Sequence, residues 1–103
     1  MIIFQILKDV KFKELKQLLM HDNFVEDISI LREVNFQKLQ FLNFADNKIK
    51  DISVLYNVNF NDLTILELHL NYLSNINKDD EENKLKSKFK KLKKPKLSPN
   101  KND

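Results

Sequence analysis

Residues 39–58 read Leu39-Gln40-Phe41-Leu42-Asn43-Phe44-Ala45-Asp46-Asn47-Lys48-Ile49-Lys50-Asp51-Ile52-Ser53-Val54-Leu55-Tyr56-Asn57-Val58. Two periods meet here. Leu42 and Phe44 alternate with polar or exposed positions, which is the period of a short strand. Ile52, Leu55 and Val58 recur every third residue, which suits a short helical or 3₁₀ return. Asn47 sits between them, where the chain must bend. Its amide can both donate to and accept from the backbone groups that such a bend leaves open.

The same pattern lies 24 residues away on either side. Leu15, Leu39 and Leu63 coincide, as do Leu18, Leu42 and Leu66, then Met20, Phe44 and Leu68. Asn23, Asn47 and Asn71 fall in one column, followed by Val25, Ile49 and Leu73, then Ile28, Ile52 and Ile76. Phe12, Phe36 and Phe60 form another, and Asp27-Ile28-Ser29 returns as Asp51-Ile52-Ser53. The register holds from about Phe4 to Ile76. One such unit has a single apolar face and cannot bury it alone, whereas stacked units share one core.

The unit L-x-x-L-x-L-x-x-N-x-I-x-x-I resembles that of leucine-rich-repeat proteins. The step from Asp27 to Leu31, repeated from Asp51 to Leu55, is similar to the short repeats of internalins and of a phosphatase regulatory subunit. The resemblance implies an α/β solenoid, a right-handed superhelix. A short parallel sheet would line its concave side and short helical or 3₁₀ segments its convex side. It also implies an intracellular scaffold or adaptor that binds a protein partner.

Residues 1–78 are assigned to about three repeats. The first is incomplete, because Phe4, Leu7, Val10 and Phe12 match only a return half. A longer array, or an edge completed by another chain, is therefore expected, since an uncovered first strand invites aggregation. Residues 79–103 are assigned to a basic helix and a disordered tail. Asp79 is placed as N-cap with Glu82 three residues on. Leu85, Phe89 and Leu92 share one helical face, and Pro95 ends the segment. Residues 1–78 carry 9 Lys/Arg against 10 Asp/Glu, and residues 79–103 carry 9 Lys against 5 Asp/Glu, so the net charge of +3 belongs to the tail. Three roles compete for that tail. It is a cap on the last repeat, a nucleic-acid-binding or nuclear-targeting run, or a basic amphipathic surface binder. Its candidate contacts are Lys86, Lys88, Lys90, Lys91, Lys93 and Lys94.

Composition narrows the chemistry. The chain has 103 residues, no Cys and no Gly. Disulfides, thiolate metal sites and a Cys nucleophile are excluded, as is a Gly-rich phosphate loop. Absence of Cys favours a reducing compartment, the cytoplasm first and the nucleus second. No run approaches the roughly 20 apolar residues of a membrane span, and Met1 to Leu7 lacks the flanks of a signal peptide. His21 and His69 share a column about two strand spacings apart, roughly 10 Å, too far for one metal site. Asp22 and Asp46 stack one unit apart and read as exposed acids at the strand exit. No nucleophile–base–orienter set is apparent, so neither an enzyme nor a cofactor is expected, unless the repeats target a larger catalytic protein. The remaining candidates are the strand residues that point away from the core: Gln17, Leu19, Phe41, Asn43, Ile65 and Glu67. Leu19, Phe41 and Ile65 are apolar and expected to be exposed, which marks a contact surface.

Overall fold

The computed structural model describes residues 12–73 and 76–103; Phe4, Leu7 and Val10 lie outside them. Three strands, β1 (Gln17–Leu19), β2 (Phe41–Asn43) and β3 (Ile65–Glu67), form one parallel sheet in the order β1-β2-β3. Gln17 faces Phe41 and Phe41 faces Ile65, so each pairing steps by the sequence repeat. Two 3₁₀ segments, Ser29–Glu33 and Ser53–Asn57, follow β1 and β2. Asp27 Oδ1 and Asp51 Oδ1 accept the N–H of Ser29 and Ser53 at 2.8 Å, which starts each segment. After β3 the return is instead an α-helix, α1 (Lys78–Lys88).

The core lies between the sheet and these returns. Leu18, Leu42 and Leu66 are buried, as are Met20, Phe44 and Leu68. Each such side chain contributes about 1.5–3 kcal/mol by leaving water. Phe12, Phe36 and Phe60 meet from unit to unit, the first pair tilted with ring centroids 6.3 Å apart and the second stacked at 6.1 Å.

The turns after the strands are joined by the repeating Asn. Asn47 is fully buried. Its Oδ1 accepts the N–H of Val25, and its Nδ2 donates to the carbonyls of Met20, Phe44 and Ala45. Asn71 does the same to Ile49, Phe44 and Leu68. Each amide thus closes its own turn and fastens it to the previous unit. The residue before the Asn adopts a left-handed backbone: φ is 59° at Asp22, 55° at Asp46 and 58° at Leu70. Asp tolerates this geometry, but a Leu side chain crowds the following carbonyl.

Two surface columns alternate in character. Lys38 Nζ lies 2.8 Å from Glu14, and Lys91 Nζ lies 2.8 Å from Asp62. The Lys38 ammonium holds the Glu14 carboxyl below its usual range, and Glu14 raises Lys38 in turn. In the column after the Asn, the Lys48 ammonium sits 5.3 Å from the Phe24 ring centre, and that of Lys101 5.7 Å from Tyr72.

The C-terminal region departs from expectation. The N-cap of α1 is Asn77, not Asp79; its Oδ1 accepts the N–H of Asp79 and of Asp80 at 3.1 Å. The helix ends at Lys88, so of the expected stripe only Leu85 is helical. Phe89 and Leu92 follow the helix and are buried all the same. Residues 93–101 do not form a loose tail. Lys93 and Lys96 donate to Thr64 and Leu66, and Leu68 and Leu70 donate to Lys96 and Pro99. Lys96 bridges Glu67 in parallel. Asn100 then repeats the work of Asn47: its Oδ1 accepts the Leu73 N–H at 3.2 Å and its Nδ2 donates to Leu97 at 3.0 Å. The run Phe89, Leu92, Pro95, Leu97, Asn100 therefore copies Phe60, Leu63, Leu66, Leu68, Asn71. Pro95 is tolerated because Lys96 turns both its N–H and its carbonyl toward β3. The group that Pro95 lacks would point to the open side.

Asn100→Ala should lower the unfolding free energy by about 1–3 kcal/mol, because it strips partners from buried backbone. A loose tail would give no change in a urea titration. Leu70→Asn should raise stability by about 0.5–1 kcal/mol through relief of the left-handed backbone, read as a higher denaturation midpoint at unchanged slope.

Candidate interaction face

The strands present Leu18, Leu42 and Leu66 inward, so their neighbours face out. Leu19 is 49 % exposed and Ile65 39 %, while Phe41 between them is half-buried. Phe41 and Ile65 are direct cross-strand neighbours, and Leu19 lies one row along, beside Asn43. The three apolar side chains thus form one patch. Gln17 is exposed at its margin and Glu67 half-exposed.

Asn43 is less available than the sequence suggests. Its Oδ1 accepts the Ala45 N–H at 2.9 Å and its Nδ2 meets His21 Nδ1 at 3.4 Å. It braces the strand exit. Among the described residues the most exposed large apolar side chain is Phe24, at 77 %, which the sequence reading does not place on the contact surface. A signal existed: its column continues with Lys48 and Tyr72, so it is not a core column.

The tail lysines separate into two groups. Lys86 pairs with Glu82 and Lys91 with Asp62, and Lys88 is half-buried. Lys90, Lys93, Lys94 and Lys96 are exposed. A concavity of about 680 Å³ beside the 3₁₀ segments mixes Glu26, Asp27 and Asp51 with Arg32, Lys48 and Lys50. Its charges offset one another and single out no ligand.

At the strand exit, Lys101 Nζ reaches Asp46 at 3.0 Å and the carbonyl of Asn47 at 2.8 Å. Lys101 holds the Asp46 carboxyl below its usual range, with help from the Asp22 side chain. His69 is half-buried, and its Nδ1 is enclosed without a hydrogen-bond partner. Burial and then the nearby Lys96 ammonium depress its pKa below 6.5, against the pull of Glu67 and Asp46.

Among the described residues, no three His, Cys, Asp or Glu side chains gather to hold a metal ion. Among them, too, no helix is long and apolar enough to cross a membrane. Comparisons with known protein families, with characterised proteins and with solved structures return no match.

His69 sets a pH dependence. Its folded pKa lies below its unfolded one, so the unfolded chain takes the proton first as pH falls. Stability should therefore drop on passing below about pH 6.5. His69→Gln should flatten that step. The separate loss near pH 4 should persist, since Asp27 and Asp51 are held low by the N–H groups of Ser29 and Ser53. Thermal melts from pH 7.5 to 3 resolve the two steps, and an unchanged upper step in the variant would refute the assignment.

Proposed function

We propose that this chain is a leucine-rich-repeat solenoid that binds a protein partner through the concave face of its sheet. The observation that carries the reading is the apolar patch of Leu19, Phe41 and Ile65. These three stay accessible on the outward side of strands whose inward residues are fully committed. Keeping large apolar groups in water is unfavourable, and clusters of them commonly mark contact surfaces. A half-buried aromatic such as Phe41 is already oriented, so it loses little freedom on binding and suits an anchor. Support for the repeat class comes from the sheet register and the Asn turns, both of which step with the sequence.

In this reading the chain supplies recognition and no chemistry. A cysteine-free composition fits a reducing cytoplasm. Nucleic-acid binding by the tail, or a targeting role within a larger enzyme, is the weaker alternative. Two of the six tail lysines are occupied by Glu82 and Asp62, Lys88 is the half-buried last residue of α1, and Lys90, Lys93 and Lys94 follow the helix, so no free basic helix presents them together.

A photo-activated cross-linker placed at position 65 should capture a protein partner in cells, while one at Lys50, beside the 3₁₀ segments, should not. Phe41→Asp should weaken binding of that partner at least 30-fold, the size of an interface anchor of about 2 kcal/mol, with an unchanged melting temperature. Full affinity in the variant would reject the concave face as the site.

A further inference from the structure

The apolar patch does not end in neutral surface. The segment that runs beside β3 extends both outward rows by one position. Lys96 bridges Glu67 in parallel, so Lys94 stands beside Ile65. Pro95 and Leu97 are buried, and Lys94 and Lys96 alternate with them and are exposed. Neither ammonium lies within ion-pair reach of an acid among the described residues, unlike Lys86, Lys91 and Lys101. Among the described residues, Glu67 is the only acid in these two rows, against two lysines.

We infer that the partner segment joins apolar residues to acidic ones, with the acids over Lys94 and Lys96; this rests on the function proposed above. The lysines lie about 10 Å from the β2 strand that carries Phe41, two inter-strand spacings. That distance is about three residues of extended chain or two turns of helix. The partner thus places an aromatic or aliphatic side chain over Phe41 and Leu19 and a carboxylate that far away. Burying the patch also desolvates the two ammonium groups, so a partner without carboxylates would leave Lys94 unpaired and Lys96 with Glu67 alone beside it. A basic or neutral apolar segment is rejected on that ground.

The test pans a library of random 16-residue peptides on the full chain at low ionic strength, with the Phe41→Asp variant for counter-selection. Enriched peptides should carry Leu, Ile or Phe with Asp or Glu at the stated spacing. The double variant Lys94→Glu, Lys96→Glu should bind them at least tenfold more weakly, and the control Lys84→Glu, Lys90→Glu should change binding less than twofold. Binding should weaken as salt rises. Peptides that need Phe41 but lack acids, and bind the double variant equally well, would overturn this inference and leave the binding face standing. If no peptide depends on Phe41, both fail together. A fluorescent 20-nucleotide single-stranded DNA that binds through Lys94 and Lys96 regardless of Phe41 would also overturn it. Circular dichroism and melting temperature confirm that each variant is folded.

Discussion

A buried primary amide organises this protein. Asn47 replaces water for four backbone groups at once, two of them in its own turn and two in the unit before it. Turns of this tightness leave carbonyls that no strand or helix can satisfy. Each one left bare inside the core would cost about 1–3 kcal/mol. Asn suits the task because it offers a donor pair and an acceptor on one short stem. Asp would bring a charge and no donor, and Gln a longer stem. Everything else is spaced by this requirement: the strands are short because the turn comes soon, and the outward rows align because the turns do.

The column that carries the amide was plain in the sequence, because its step is constant from Asn23 to Asn71. The parallel sheet and the 3₁₀ segments lie where that step puts them. The next member was hidden for a physical reason. A further step of 24 from Asn71 lands on Pro95, while the amide that does the work is Asn100. The extra length is taken up by α1, which replaces a five-residue 3₁₀ segment with eleven helical residues. A proline also stands in a column otherwise filled by Leu, which a search for Leu cannot see. Read as a helical stripe, Leu85, Phe89 and Leu92 fitted a basic amphipathic helix. Their burial is real, but it arises from two different kinds of backbone.

The outward face was legible in part. Which residues point away from the core follows from alternation, and Leu19 and Ile65 are exposed as expected. What each then does depends on neighbours one or more turns away. The bracing of Ala45 by Asn43, the reach of Lys101 to Asp46 and the enclosure of His69 Nδ1 all depend on side-chain paths. The placement of Lys94 and Lys96 beside the apolar patch required the fourth segment to be recognised first.

The two alternating surface columns bear on a hazard peculiar to a chain that repeats itself. Core and turn are nearly the same in every unit, so hydrophobic collapse alone does not distinguish a neighbour from a unit further along. Skipping one unit would bring Glu14 to Asp62 and Lys38 to Lys91, and would stack Phe24 on Tyr72 while leaving Lys48 to face Lys101. In the native order every one of these meets its opposite or its complement. Each contact is weak at the surface, and the change of sign falls on the charged groups, since a slipped Phe24–Tyr72 stack would itself be favourable. They act as a parity check on the stacking order, favouring adjacent pairing while the chain is still choosing its partners.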